Sequence, residues 1–308
     1  MQLIKTPTKG MNDYLPRETR LREYVKGVII RAYEKNGFSM IETPAVEHIE
    51  NLTGKNGGDN EKLIFKIMKR GEKLNEAAGN DAELCDSGLR YDLTVPLSRY
   101  YANNQAKLPS PFMAMQIGNV WRADRPQKGR FRQFTQCDID ILGDSTQLAE
   151  ITLISATTGV LRELGFDNFT VRINDRRLLK VCADYCGFKP EDCDKVFITL
   201  DKMDKIGLDG VKRELVEEDF DEASVEKYVA LYENCDAVSV SEFAADRLGG
   251  NGADIAASLE SIMRCATAAT AGGCSLKFDP TLVRGMSYYT GTIFEISMDG
   301  YGYSVGGG

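Results

Sequence analysis

The chain has one histidine, His48, and one tryptophan among its 308 residues. Zinc sites built on several histidines are therefore nearly excluded. No apolar run approaches the roughly 20 residues that cross a membrane, and the N-terminal segment lacks the apolar stretch of a signal peptide. No glycine-rich fingerprint follows an early strand, which argues against a dinucleotide-binding enzyme. These absences predict a cytoplasmic protein with no membrane partner.

Paired cysteine motifs are missing as well. The eight cysteines are scattered and none forms a CxxC pair, so we expect reduced thiols rather than disulfides or a metal site. Cys182, Cys186 and Cys193 form the one local cluster, and a helical packing face is its favoured interpretation. A net charge of -8 argues against a general nucleic-acid coat, although basic residues can still be concentrated in one place.

The most informative segment runs from Val120 to Gly143. It begins at the end of an apolar run, continues as a loop rich in arginine and lysine, and returns as an alternating strand, which together predict a hairpin. Alternation places Gln136, Asp138 and Asp140 on one face of that strand. Carboxylates beside guanidinium groups suit a ligand with a cationic end and a polyanionic end, such as an amino acid and ATP. The basic residues of the loop are Arg122, Arg125, Lys128, Arg130 and Arg132.

This segment resembles motif 2 of the class II aminoacyl-tRNA synthetases, in the form found in the histidyl-tRNA synthetase family. LVRGMSYYTGTIFE, from Leu282 to Glu295, resembles the histidine signature of that family, and LRYDLTVPLSRY, from Leu89 to Tyr100, resembles a third segment. The three stand in the family's order and cover essentially the whole chain. The resemblance implies a histidine–tRNA ligase, which activates L-histidine with ATP and transfers the histidyl group to the acceptor end of tRNA(His).

The resemblance also implies roles for individual residues. Arg122 and Arg284 are the catalytic candidates, because they stand where the family has arginines that reach the α-phosphate. The candidates for binding histidine are Asp92, Thr94, Gln136, Asp140, Tyr288 and Tyr289. The candidates for binding ATP are Arg122, Asp124, Arg130 and Phe134, the last by stacking on adenine. Arg125 and Lys128 are expected to face the phosphates or the tRNA. Mg²⁺ is implied as the counter-ion of ATP, with no protein ligand assigned and no tightly bound cofactor.

The chain departs from the family's pattern near its C-terminus. Ser287 stands where aspartate is common and Met286 where leucine is common, so a charged contact to histidine or to a neighbouring arginine is in doubt. The final glycines, Gly306 to Gly308, lie where the family leads into motif 3 and later into an anticodon-binding domain. We therefore expect a catalytic-domain fragment that binds histidine better than it turns over.

The expected fold is α+β, with a mainly antiparallel sheet flanked by helices and a small helical insertion. The predicted domains are a first part of the catalytic core over residues 1–175, a helical insertion over 176–274, and a second part of the core over 275–308. A long N-terminal helix ended by Asn36-Gly37 and the strand FSMIETPAVEH fit an ordinary helix–strand core unit as well as motif 1 of the family. Their place ahead of the other motifs favours motif 1, and the resemblance then implies a homodimer. Residues 63–69 and those from 74 onward predict a short hairpin, and residues 75–88 a mobile loop.

Two alternatives fit the same resemblance. A non-catalytic paralogue, the regulatory subunit of ATP phosphoribosyltransferase in histidine biosynthesis, is disfavoured because Arg122, Gln136, Arg284 and the tyrosine pair are present. A different class II synthetase is disfavoured by RGMSYYTG, which is the signature of the histidine pocket.

Overall fold

The structure is a computed structural model that describes residues 3–53, 59–80, 83–235, 238–284 and 289–308. The chain divides into two compact units, Met1–Thr146 and Gln147–Gly308. Within the described residues, no helix is both long and apolar enough to cross a membrane.

The first unit begins with its longest helix. Its helices are α1 (Pro16–Lys35), α2 (Ile49–Thr53), α3 (Glu72–Glu76) and α4 (Thr94–Asn104), with 3-10 turns at Asp59–Leu63 and Gln105–Lys107. Pro16 suits the first position of α1, where a backbone N–H has no helical partner. The Glu18 carboxylate accepts a hydrogen bond of 2.9 Å from the Leu15 N–H and caps the same end. Gly37, with φ +91, follows the last turn, so the predicted helix and its end are confirmed.

Two small sheets complete the first unit. Its strands are β1 (Ser39–Met40), β2 (Val46–His48), β3 (Lys66–Met68), β4 (Cys85–Leu89), β5 (Phe112–Trp121) and β6 (Gln133–Leu142). One sheet has the order β1-β5-β6, with β5 antiparallel to β6 and parallel to β1. The other has the order β2-β4-β3 and is antiparallel. The β5–β6 hairpin was predicted and is confirmed.

Three local predictions in this unit were wrong. The segment FSMIETPAVEH forms two short strands in different sheets instead of one, with Pro44 between them. The strand at 66–68 pairs with β4 rather than with the residues that begin at Leu74, because Leu74 lies in α3. The predicted loop at 75–88 ends in β4. Gly88 lies in β4 and explains why the sequence pattern missed this strand. A Cβ at Gly88 would lie 2.9 Å from Leu52 Cδ1 and 3.0 Å from Ile64 Cγ2, so the glycine lets these two side chains pack closely against β4.

The second unit combines one sheet with a group of helices. Its strands are β7 (Phe169–Asp175), β8 (Ser275–Phe278), β9 (Thr292–Met298) and β10 (Tyr301–Gly307), in the order β10-β9-β7-β8. Its helices are α5 (Leu148–Glu163), α6 (Arg176–Cys186), α7 (Cys193–Leu200), α8 (Met203–Glu217), α9 (Glu222–Tyr232), α10 (Val240–Glu242) and α11 (Ala253–Ala269), with a π turn at Phe243–Arg247. The predicted strands at 169–175 and 292–298 match β7 and β9.

The helices between β7 and β8 share a continuous hydrophobic core with the sheet. Cys182, Cys186 and Cys193 are buried in that core, which confirms the packing interpretation of the cluster. β7 and β8 are neighbouring parallel strands, so the helices between them in sequence form a crossover connection from the end of β7 to the start of β8. The predicted division at 175 and 274 stays a prediction, since the compact units divide between Thr146 and Gln147.

The architecture confirms the α+β prediction. Antiparallel pairing dominates, with parallel pairing at β1–β5 and β7–β8, and helices pack beside the strands.

Candidate active site

The register of the β5–β6 hairpin brings the polar residues of the first unit together. Gln116 lies opposite Asp138, Ala114 opposite Asp140, and Gly118 opposite Gln136. Side chains that face each other across an antiparallel pair share one side of the sheet. The predicted face of alternating polar residues therefore exists. Small residues on β5 stand opposite Gln136 and Asp140.

An amide fixes one of the carboxylates on this face. The Gln136 Nε2 donates to both carboxylate oxygens of Asp138, at 3.2 Å each. Among the described residues, Gln136 Oε1 and Asp140 Oδ2 are buried atoms with no hydrogen-bond partner. Buried acceptors without donors are uncommon in folded proteins. The face therefore offers acceptors that suit the N–H groups of a ligand.

Asp92 joins this group from the segment that leads into α4. Its Oδ1 accepts a hydrogen bond of 3.1 Å from the Val95 N–H at the first turn of the helix, and the residue is only 1% exposed. Thr94, two residues further on, is the first residue of α4. The helix start thus holds the two predicted histidine-binding residues of this segment close together.

The carboxyl groups on this side of the sheet have raised pKa values, because they are buried and lie close to one another. Burial raises the pKa of Asp138 to about 7, and the charges of Asp140 and Asp92 add to the increase, while the Gln136 hydrogen bond and Arg122 oppose it. Burial and the Asp92 charge raise the pKa of Asp140 to about 6. Like charges in a shielded place disfavour ionisation. A cationic group placed among the three carboxyls would therefore be stabilised.

Arg122 lies next to Phe134 at the loop end of the hairpin. Its Nε donates 2.9 Å to the Tyr91 carbonyl, and its guanidinium carbon lies 5.1 Å from the centroid of the Phe134 ring. A cation over an aromatic ring is attracted to its face. The predicted phosphate-binding arginine and the predicted adenine-stacking ring are thus neighbours.

The basic loop is tied at its base and exposed at its tip. The Arg132 Nε donates 2.9 Å to the Asp124 carbonyl, and the Arg122 N–H donates 2.9 Å to the Arg132 carbonyl. Arg130 Nη1 lies 4.0 Å from Asp124 Oδ1, a long ion pair with an exposed arginine. Arg125 and Lys128 are exposed in the same loop. Their charges therefore remain available to a polyanion.

Arg284, in the second unit, pairs with an acidic residue of the same unit. Arg284 Nη1 donates 3.1 Å to Glu295 Oε2 on β9, and Nη2 donates 3.4 Å to the Tyr289 hydroxyl. Burial alone would lower the pKa of Arg284, but Tyr289 and Glu295 outweigh it and raise that pKa. Tyr288 lies outside the described residues, as do Met286 and Ser287 at the two positions that depart from the family's pattern.

Two acidic residues of these sites were not assigned from the sequence. Asp138 was placed on the right face by alternation but received no role, although its carboxyl is the most perturbed there. Glu295 ends the signature-like segment and becomes notable only through its ion pair with Arg284. Groups of three or more His, Cys, Asp or Glu that could hold a metal ion do not occur among the described residues.

Comparisons with known proteins agree with one another. The profile of the family described as histidyl-tRNA synthetase matches residues 10–308. The chain is 48% identical over 314 residues to the histidine–tRNA ligase of Leifsonia xyli subsp. xyli, covering 98% of this chain and 73% of that protein. It is 41% identical over 326 residues to the probable histidine–tRNA ligase of Tropheryma whipplei strain Twist, with the same coverage of 98% and 73%.

Solved structures show the same fold. The histidyl-tRNA synthetase from Nostoc sp. PCC 7120 superposes with a TM-score of 0.78 at 26% identity, covering 96% of this chain and 66% of that one. A protein from Bacillus halodurans C described as an ATP phosphoribosyltransferase regulatory subunit/histidyl-tRNA synthetase has a TM-score of 0.78 at 20% identity, covering 99% of this chain and 75% of that one. At that identity the likeness shows the fold alone.

These findings define the class of protein as an aminoacyl-tRNA synthetase, an enzyme of the ligase type. Within that class, the chain belongs to the histidyl-tRNA synthetase family. The predicted family and the prediction of a histidine–tRNA ligase are confirmed, whereas the regulatory-subunit alternative is supported only by a structural neighbour of low identity.

Proposed function

We propose that this chain activates L-histidine with ATP and then passes the histidyl group to the acceptor end of tRNA(His). In the first step a carboxylate oxygen of histidine bonds to the α-phosphorus of ATP, and the bond from that phosphorus to pyrophosphate breaks. In the second step a ribose hydroxyl of the tRNA takes the histidyl group and releases AMP. Positioning and charge stabilisation provide most of the catalysis in such a reaction.

One observation carries the proposal in the first unit. Arg122 stands at one end of the hairpin beside Phe134, and the carboxyl-bearing face of Gln136, Asp138 and Asp140 continues along the same strand. A substrate pair with a triphosphate at one end and an ammonium group at the other matches that distribution of charge. Asp92, Thr94, Gln136 and Asp140 are the proposed contacts for the amino acid.

Arg122 and Arg284 are the proposed catalytic residues. A guanidinium donates two parallel hydrogen bonds to an oxyanion pair and stays charged at any working pH. Charge builds up on the α-phosphate as pyrophosphate leaves, so each arginine would stabilise the transition state more than the bound substrates. Tyr288 and Tyr289 are proposed to contact histidine, following the resemblance of their segment.

ATP is proposed to bind as its Mg²⁺ complex. Asp124 and Phe134 are the proposed contacts for adenine, and Arg130 for the outer phosphates. The exposed Arg125 and Lys128 are proposed to meet the phosphates or the tRNA, because an exposed positive loop suits a polyanion. Such contacts would concentrate positive charge at one place on a chain whose net charge is -8.

A homodimer is part of the proposal. Several large apolar side chains of the N-terminal region are exposed on α1 or its N-cap and on the strands β1 and β2. They are Leu15, Leu21, Tyr24, Met40 and Val46. Leu21 and Tyr24 lie three residues apart on α1 and therefore share a face of that helix, and exposed apolar side chains on one face suit a partner surface. Light scattering at micromolar concentration should give twice the mass of 34.2 kDa, and a monomer would contradict the dimer.

A cytoplasmic location is proposed from the thiols. The structure records no disulfide among its eight cysteines, and thiols in this number are typical of a reducing compartment.

Exchange of labelled pyrophosphate into ATP, measured with and without histidine, tests the activation step. We expect exchange only with histidine, and a fall in kcat of about 100- to 1,000-fold in Arg122→Ala, as for loss of a donor to a developing oxyanion. Arg264→Ala removes an exposed arginine from α11 and serves as the control. Exchange that does not depend on histidine, or equal loss in both variants, would overturn the proposal.

A further inference from the structure

The carboxyl-bearing face of β6 holds one more acid than the proposed contacts for histidine require. Asp92 and Asp140 already provide two carboxylates, enough for one ammonium group. Asp138 lies between Gln136 and Asp140 on the same face, opposite Gln116 of β5. Placing a third carboxyl there costs free energy unless a ligand relieves the repulsion.

Hydrogen bonds hold the Asp138 carboxyl in one orientation. The Gln136 Nε2 reaches both of its oxygens at 3.2 Å. Gln116, directly opposite, is engaged elsewhere, since its Oε1 accepts from the Thr43 hydroxyl at 3.0 Å and its Nε2 donates to the Leu93 carbonyl at 3.0 Å. Asp138 therefore keeps acceptor capacity for a further donor, because each carboxylate oxygen has two lone pairs.

We propose that Asp138 is a further specificity-determining residue of this site, whose carboxylate accepts an N–H from the side chain of the bound amino acid. The inference rests on the proposed function, because it assigns this role within the same amino-acid pocket. Histidine offers such an N–H on its imidazole ring. Amino acids of similar size with hydrocarbon side chains offer none, and would leave the carboxylate desolvated and without a donor.

The charges around Asp138 explain why binding should involve a proton. Asp140 and Asp92 disfavour its ionisation, while Arg122 favours it. Arg90 lies beside Gly118 on the opposing strand and donates to the carbonyls of Asn119 and Thr43. On the other face of β6, Arg22 and Lys26 of α1 act on Cys137.

Burial, with the charges of Asp140 and Asp92, raises the pKa of Asp138 to about 7, so near neutral pH a large share of the empty sites is protonated. An ammonium group and a ring N–H would both stabilise the carboxylate, so histidine binding should release the proton.

Calorimetric titration with histidine in buffers of different ionisation enthalpy measures affinity and proton release together. Asp138→Asn keeps the shape and removes the charge. Its matched control is Asp144→Asn, which makes the same change just after β6, where the side chain accepts from the Thr146 N–H at 2.8 Å and asparagine can do the same. Retained thermal unfolding transitions show that both variants fold.

We expect Asp138→Asn to weaken histidine binding by about ten- to a hundredfold, the usual effect of losing a hydrogen bond to a charged group. Proton release at pH 7 should fall to what the imidazole of histidine itself supplies, and Asp144→Asn should match the wild type. Two histidine analogues, each methylated on one ring nitrogen, give a second readout. The ratio of the affinities for the two analogues should be smaller in Asp138→Asn than in the wild type.

The outcomes separate the inference from the proposed function. If the wild type binds histidine and Asp138→Asn shows the same affinity, proton release and discrimination between the analogues, the role of Asp138 alone is overturned. Proton uptake by the wild type would also overturn it. A wild-type chain that binds no histidine would overturn the proposed function and this inference with it. If Asp138→Asn does not fold, the pH dependence of proton release by the wild type tests the role instead. Above pH 8 the Asp138 carboxyl is already ionised, so proton release on binding must fall to the contribution of histidine itself, and release that stays higher would overturn the role.

Discussion

The backbone N–H of Arg132 donates a hydrogen bond of 2.7 Å to the carbonyl of Gly10. The Arg132 carbonyl in turn accepts from the N–H of Arg122 at 2.9 Å. The N-terminal segment is therefore joined, through one residue, to the backbone of the proposed catalytic arginine. Gly10 has φ +83, and a Cβ there would lie 2.8 Å from Arg132 Cγ and from Pro126 Cγ.

Gly10→Ala should disturb the base of the basic loop without touching the amino-acid pocket. We expect KM for ATP to rise several-fold, because Arg122 and Arg130 belong to that loop, while KM for histidine changes little. Pyrophosphate exchange with each substrate varied in turn gives both values. Gly79→Ala is the matched control, since Gly79 has φ +93 and nothing within 4 Å of its Cβ position. Equal effects of the two variants would mean that backbone strain alone is responsible.

Glu295 and Tyr289 should influence Arg284 to different degrees. The Glu295 contact is a charged hydrogen bond of 3.1 Å, whereas the Tyr289 contact of 3.4 Å is at the long end of hydrogen-bond distances. We expect Glu295→Gln to lower kcat of pyrophosphate exchange by about tenfold, and Tyr289→Phe to act mainly on KM for histidine.

Glu226→Gln is the control for this pair of variants. It disrupts an exposed ion pair with Lys212 of 2.9 Å, and such pairs contribute little to stability. A smaller effect on kcat from Glu295→Gln than from Tyr289→Phe would contradict the assignment.

Asp138 should make stability depend on pH in a defined direction. Its pKa in the folded protein is raised from 3.8 to about 7, so the folded state binds the proton more tightly than the unfolded chain. The stabilisation from that proton is complete below about pH 4 and is lost as the pH rises through 7. An asparagine side chain does not ionise, and Asp138→Asn should therefore gain about 1 kcal/mol or more over the wild type at pH 8.

Urea unfolding of the two proteins at pH 4.5 and pH 8 tests that direction without any ligand. The advantage of Asp138→Asn should be larger at pH 8 than at pH 4.5. A variant that loses stability relative to the wild type as the pH rises would contradict the raised pKa.

Two glycines with opposite surroundings give a test of packing. A Cβ at Gly118 would overlap Nη2 of Arg90, a buried arginine that donates to backbone carbonyls. Gly118→Ala should lower the free energy of unfolding by about 1–3 kcal/mol, as overpacking does. Gly159 lies within α5 with nothing within 4 Å of its Cβ position, so Gly159→Ala should raise it by about 1 kcal/mol. Denaturant unfolding measures both, and a stabilised Gly118→Ala would mean that Arg90 moves aside at little cost.

Long periodic segments were predictable because local physics decides them. The α1 helix and its glycine end, the β5–β6 hairpin, and the strands β7 and β9 follow from the spacing of apolar residues and from turn chemistry. Short strands were not predictable in the same way. β4 contains few apolar residues, and it forms because it pairs with β2 and β3 and because Gly88 lets Leu52 and Ile64 pack closely.

The sequence by itself determined the family, the α+β class and the order of the chemistry-bearing segments, because each of these is encoded in runs of neighbouring residues. Only the tertiary structure decided which charged side chains lie close enough to shift one another's pKa values or to form ion pairs. The pKa of Asp138 is raised first by burial and also by the charges of Asp140 and of Asp92, which lies 46 positions earlier in the chain. Arg284 donates to Glu295, which lies on β9. Electrostatic coupling follows distance in space and burial, which no local pattern specifies.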